Sequence, residues 1–162
     1  MPRSRGRFAL TADAPGAEDV TWSAQTIGLP TSQKPPFVVR VDSRALRDGP
    51  LTIRATADGA AGQTSDYVVV VVDNTPPTGA LAPETLARVG RRLMLQPGAS
   101  DANGIATVRV RWGDGSRQTL RGGRATRALR HRFRRPGAFR VLVTITDRAG
   151  NVRRARTLVR AS

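Results

Sequence analysis

The chain has 162 residues, enough for two small domains, and its composition contains no cysteine. The lack of cysteine excludes disulfides, thiol catalysis and thiolate metal sites, and no run of 18 apolar residues could span a membrane. Arginine accounts for 26 of the 27 basic residues, and against 12 acidic residues this leaves a formal net charge of +15.

The first half of the chain consists of short apolar runs separated by turns. Residues 1–7 are a basic lead that we expect to be frayed, and 68–72 are five valines without alternation. That valine run indicates a strand covered on both sides or one at a domain junction. Candidate strands are residues 8–12, 19–25, 37–42, 51–57 and 66–73.

The segment Asp-Asn-Thr-Pro-Pro at residues 73–77 is the predicted boundary between two domains. Two prolines remove backbone donors and stiffen the chain, so we expect a short, semi-rigid linker. The predicted domains are residues 1–75 and 76–162.

The second half shows the clearest strand patterns. In residues 138–147, Phe139, Val141, Val143 and Ile145 share one parity, which predicts a strand with one buried face. Residues 105–112 show the same two-residue alternation and lead into the glycine-rich turn 113–116. Residues 81–89 are a loop or weak strand, and about seven strands are expected in all. The others are residues 92–96, 118–121, 127–133 and 152–159.

These residues resemble a known family. The tryptophan-bearing strand into Gly-Asp-Gly-Ser, then His131 and Phe133 before Pro-Gly, are similar to the PKD (polycystic kidney disease) domain. That pattern has Trp-x-Phe before the glycine, where this chain has Val110 and Trp112.

The first half resembles bacterial immunoglobulin-like modules strung in tandem on exported proteins, here lacking the first strand. The resemblance lies in residues 36–42, 45–49, 51–57 and 72–77. Together the two resemblances imply an all-β fold, with two tandem immunoglobulin-like β-sandwiches joined by a short proline-rich linker. They also imply an extracellular or cell-surface location, although no signal peptide is visible at the start of the chain. We therefore expect the chain to be an excerpt of a longer exported protein.

Candidate catalytic and metal-binding residues are few. The single histidine, His131, is expected to have a structural or solvent-facing role, and no nucleotide loop or zinc spacing is present. Asp101, Asn103 and Asp147 could contribute to a calcium site, but no EF-hand loop is present and we predict no metal. Trp22 and Trp112 are expected in the cores. We predict no catalytic residue, no cofactor and no small-molecule substrate.

Arginine is distributed unevenly along the chain. Residues 1–77 carry no net charge, whereas residues 78–162 carry 19 arginines against four acids. Such asymmetry is either a solvated surface or a binding surface for a polyanion. The predicted polyanion-binding residues are Arg121, Arg124, Arg127, Arg130, Arg132, Arg134, Arg135 and Arg140.

The expected function is that of a non-catalytic spacer and adhesion segment of a bacterial surface or secreted protein. One alternative is a binding module for acidic wall polysaccharide, nucleic acid or anionic membrane. The other is an accessory region of a secreted hydrolase. The expected partners are an acidic polymer and other domains of the same longer chain, and we expect a monomer.

Overall fold

The computed structural model describes residues 3–25, 27–32, 34–60 and 62–162. The chain divides into two compact units, Met1–Asn74 and Thr75–Ser162. Within the described residues, no helix is long and apolar enough to cross a membrane.

The first unit pairs a five-stranded sheet with a two-stranded sheet. The larger sheet has the order β1-β7-β6-β3-β4, and the smaller one pairs β2 with β5. Val20 and Trp22 from the first sheet and Val39 from the second belong to one buried core. The strands are β1 (Arg3–Ser4), β2 (Arg7–Ala12), β3 (Ala17–Ala24), β4 (Ile27–Gly28), β5 (Phe37–Asp42), β6 (Gly49–Gly59) and β7 (Gly62–Val72).

The second unit has the same construction. Its larger sheet has the order β11-β10-β13-β14-β8, and the smaller one pairs β12 with β9. Trp112, Leu129 and Phe133 lie in its core. The strands are β8 (Glu84–Ala87), β9 (Leu93–Leu95), β10 (Ile105–Arg111), β11 (Arg117–Arg121), β12 (Leu129–His131), β13 (Gly137–Asp147) and β14 (Val152–Ala161).

The two sheet orders correspond strand by strand. In each unit the first strand pairs in parallel with the last, β1 with β7 and β8 with β14. The other pairings are antiparallel. The same seven-stranded sandwich thus occurs twice, although the sequence has no residue-level repeat. The predicted all-β fold of two immunoglobulin-like sandwiches is confirmed.

The predicted inward face of β13 is present. Val141, Val143 and Ile145 are buried, and Phe139 is half-buried at the end of the strand. The strand lies between β10 and β14, so its backbone groups are paired on both edges. Alternation along the sequence therefore corresponds to one face packed on the core.

A bulge in β10 changes which residues face the core. Val108 and Val110 are buried as predicted, yet Ile105, of the opposite parity, is buried as well. The register shifts between Ile105 and Thr107, and the extra residue turns Ile105 inward.

The structure corrects one sequence-based expectation and decides between the alternatives of two others. Arg3 and Ser4 are not frayed but pair with Val71 and Val72, so a strand precedes Arg7–Ala12. In the valine run, Val70 and Val72 are buried and Val71 between them is half-buried, so the strand is not fully covered on both sides. The run instead lies at the domain junction, the other predicted alternative, because β7 ends at Val72 and the first unit ends at Asn74. Finally, residues 81–89, predicted as a loop or weak strand, contain the short strand β8, which agrees with the strand alternative.

Candidate anion-binding site

The turn after β10 is held by an aromatic stack. The ring of Trp112 is buried and stacks on that of His131, with centroids 4.5 Å apart. Phe133 meets His131 edge-on at 4.6 Å and stacks on Phe139 at 4.4 Å. The alternation in and after β12 turns His131 and Phe133 inward, while Arg130 and Arg132 are exposed. His131 therefore forms part of the core wall, as the sequence predicts.

His131 also fixes the conformation of the glycine-rich turn. Its Nε2 lies 2.7 Å from Oδ2 of Asp114, while Oδ1 of Asp114 accepts hydrogen bonds from the Ser116 hydroxyl and backbone N–H. Burial of Asp114 acts to raise its pKa, but the hydrogen bonds from Ser116 and His131 outweigh burial and lower that pKa to about 2. Asp114 is thus ionised at neutral pH, and hydrogen bonds hold its carboxylate in the turn.

The same three residue types occur in hydrolase triads, but the geometry here differs. In a triad the acid and the nucleophile contact opposite nitrogens of the imidazole ring. Here Ser116 Oγ, at 3.5 Å, approaches the same Nε2 that Asp114 contacts. In addition, Ser116 donates its hydroxyl proton to Asp114 at 2.6 Å. The cluster stabilises the turn and does not activate the serine.

An open cleft of about 1130 Å³ lies beside this turn. Asp114, Ser116, His131 and Phe139 contribute to its wall. The remaining charged residues that line it are all arginines: Arg92, Arg130, Arg132, Arg134 and Arg135. Strand ends bring them together, because β9 begins, β10 ends, β12 ends and β13 begins at this end of the unit.

The structure divides the predicted arginine set. Arg130, Arg132, Arg134 and Arg135 line the large cleft. A separate depression of about 620 Å³ is lined by Arg121, Arg124 and Arg127. Arg140 is exposed and lines neither of these two clefts.

Sequence reasoning missed Arg92 as a member of the larger group. It precedes β9, which pairs with β12 through Leu93 and His131. Only the pairing of these two strands reveals that Arg92 lies beside the Arg132 segment. The sequence places Asp114 and Ser116 in a turn but does not predict that they line a cleft.

The candidate calcium ligands lie at the other end of the second unit. Carboxylate oxygens of Asp101 and Asp147 are within 4.8 Å of one another. Oδ1 of the buried Asp147 accepts from the backbone N–H groups of Gly150 and Asn151, while its Oδ2 has no hydrogen-bond partner among the described residues. Asp101 accepts from the N–H of Asn103. The absence of a metal stays a prediction.

Both units are immunoglobulin-like β-sandwiches by their sheet order. The chain belongs to the PKD domain family, whose model matches residues 74–161, more than half of the chain. The tandem of an immunoglobulin-like module and a PKD domain is therefore confirmed. Such domains are typical of extracellular proteins, commonly act as spacer or adhesion modules, and are typically non-catalytic.

Solved structures show the same fold at low sequence identity. The fibronectin(III)-like modules of Clostridium thermocellum CbhA share 15% identity, with a TM-score of 0.57 over 99% of this chain and 88% of that one. The I67–I69 fragment of titin shares 13% identity, with a TM-score of 0.54 over 99% of this chain. This chain spans 62% of the titin fragment. The comparison with curated proteins found no significant match.

Proposed function

We propose that this chain is a non-catalytic spacer and adhesion segment of an exported bacterial surface or secreted protein. The observation that carries the proposal is the repeated architecture. Two successive seven-stranded sandwiches have the same strand order, and the second belongs to a family common in extracellular modules.

The packing supports a spacer role because each unit has its own core. One buried cluster is built around Trp22 and Ile53, and the other around Trp112 and Phe133. A unit that buries its own apolar residues can fold without its neighbour. The prolines Pro76 and Pro77 limit the conformations of the connecting chain.

The wall of the large cleft supports a role without catalysis. Asp114 and Ser116 both approach Nε2 of His131. The serine hydroxyl therefore does not face a ring nitrogen opposite the one that the acid contacts, which is the arrangement that activates a nucleophile. These side chains instead hold the turn next to a surface rich in guanidinium groups.

Force spectroscopy on single molecules of the full chain tests the spacer role. The chain is pulled from its two ends between reference domains of known unfolding length. We expect two separate unfolding events with contour-length gains on the order of 20–30 nm each, since an extended residue spans about 3.5 Å. A single cooperative event, or unfolding without a resolved force peak, would contradict the proposal.

A further inference from the structure

The five arginines of the large cleft are held close together by the backbone. Arg92 and Arg130 belong to neighbouring segments, because Leu93 pairs with His131 and Met94 with Arg130. The N–H of Gly90 donates to the carbonyl of Phe133 at 2.8 Å, which fixes the segment before Arg92 against the one that carries Arg132 and Arg134. The positive charge of the cleft is therefore built into the fold.

The cleft arginines differ from other described arginines in their ion pairing. Elsewhere in the chain, Arg7 and Arg44 pair with Asp42, and Arg160 pairs with Glu84. In the part of the chain that the structure describes, none of the five cleft arginines makes a salt bridge. Asp114 is the one described acid in the cleft wall, and its oxygens are engaged by Ser116 and His131. Like charges gathered in this way repel one another, and a bound anion would relieve that repulsion.

The side chains that line the cleft argue against two classes of ligand. Binding of unpaired bases needs exposed aromatic rings for stacking, but Trp112 and Phe133 are buried and Phe139 is stacked on Phe133. Binding to a membrane surface needs apolar side chains beside the charges. The exposed large hydrophobic residues of this unit lie outside the cleft wall: Leu86, Met94 and Val152.

We propose that the cleft formed by Arg92, Arg130, Arg132, Arg134 and Arg135 binds a carboxylated polysaccharide. A guanidinium fork matches a carboxylate through two parallel hydrogen bonds, and arginine suits this geometry better than lysine. A flexible sugar chain with a carboxylate on each unit can enter a concave site and engage several arginines in succession. This proposal specifies the ligand for the adhesion role proposed above and rests on it.

Titration calorimetry of the full chain with oligogalacturonate at low salt tests the proposal. The double variant Arg132→Gln/Arg134→Gln removes two charges from the cleft, and we expect it to weaken binding about tenfold or more through lost bidentate contacts. The matched control is Arg121→Gln/Arg124→Gln, which removes two exposed arginines from the smaller depression and should change affinity less than about threefold, as a screened rim charge does. Methyl-esterified oligogalacturonate, which lacks the negative charges, should not bind.

Several results would overturn the proposal. Equal losses in the two double variants would mean that net charge, not the cleft, attracts the polymer. Equal or tighter binding of a duplex or single-stranded DNA by the same arginines would assign the cleft to nucleic acid. No binding of oligogalacturonate at low salt would leave the arginines as a solvated surface. In each case two unfolding events under force would still support the spacer role, so the two proposals fail separately.

Discussion

At the scale of single residues, the second unit depends on a turn whose polar side chains form hydrogen bonds with one another. Trp112 fills the core beneath His131, and His131 in turn bonds Asp114. The family pattern places a further aromatic residue after the tryptophan position, whereas here Val110 and Trp112 both point inward. The departure is accommodated because Phe133 and Phe139 supply the remaining aromatic packing.

The first prediction concerns the pH dependence of Asp114. Its pKa in the folded state is lowered to about 2, below the ordinary value of about 3.9 in an unfolded chain. The ionised carboxylate therefore contributes stability above about pH 4, and that stability is lost as pH falls through the folded pKa. Asp114→Asn should lower the free energy of unfolding at pH 7 and have little effect near pH 2. Denaturant melts across this range measure the difference, with Asp13→Asn, in an exposed loop, as the control for lost charge. A pH-independent effect of Asp114→Asn would be inconsistent with this linkage.

The second prediction concerns the close approach of Gly113 to β13. A Cβ at Gly113 would lie 2.8 Å from the carbonyl oxygen of Arg140, and the residue has a φ of 86°. Gly113→Ala should therefore cost both backbone strain, about 1–3 kcal/mol, and a displacement of β13. The matched control is Gly115→Ala, which has a φ of 93° but nothing within 4 Å. Thermal melts should show the larger loss for Gly113→Ala, and equal losses would rule out the steric contribution.

The third prediction concerns metal. Because a ligand of the folded state raises stability by mass action, a structural calcium ion would be visible in the melting temperature. We expect no change when excess EDTA replaces millimolar calcium, since Asp101 and Asp147 each use an oxygen to bond backbone N–H groups of their own turns. A melting temperature that rises by several degrees in calcium would contradict this expectation if the rise disappears in Asp101→Asn, a variant that keeps the hydrogen-bond acceptor.

At the scale of strands, the central strand β13 organises the second sandwich. Ile145 is fully buried, while Thr144 faces the other side and lies opposite Arg109 and Arg154 on the neighbouring strands. Ile145→Ala should cost about 2–5 kcal/mol, because a buried branched side chain leaves a cavity. Thr144→Ala should cost less than about 1 kcal/mol. Denaturant melts of both variants measure this difference, and similar losses would contradict the assigned face.

Strand alternation was readable from the sequence where one face is buried and the neighbours are regular. The β13 valines and the Val108–Val110 pair follow the two-residue period, so their burial was predictable. The inward turn of Ile105 was not, because a bulge is set by pairing with β13 and not by local composition. The strand at Arg3–Ser4 is likewise not predictable from local sequence, since it pairs with β7, almost seventy residues away.

The sequence predicts that the candidate site is rich in arginine, but not which arginines lie together. The sequence reveals many arginines after residue 120, yet it treats them as one set. Strand order separates them, because β12 leads to the large cleft while the turn before it forms the smaller depression. Arg92 enters the group through the pairing of β9 with β12, which spacing along the chain does not specify.

At the scale of the whole molecule, two sandwiches of one architecture differ sharply in charge. Residues 1–77 are neutral, while residues 78–162 hold the full +15. The two units thus share a fold but not a charge. The shared strand order fits the proposed spacer role, and the charge of the second unit fits the proposed adhesion to an acidic polymer. Long-range attraction to such a polymer should increase the rate of association and weaken as salt is added.

If the proposal is right, ligand contact is confined to one arginine-lined cleft of the second unit. The most direct measurement is a ¹H–¹⁵N NMR titration of the full chain with oligogalacturonate. We expect shifts in the backbone signals of residues 113–116 and 130–135 and of Arg92, while the signals of residues 3–60 stay unchanged. Shifts spread over the exposed arginines of both units, or centred on residues 121–127, would contradict it.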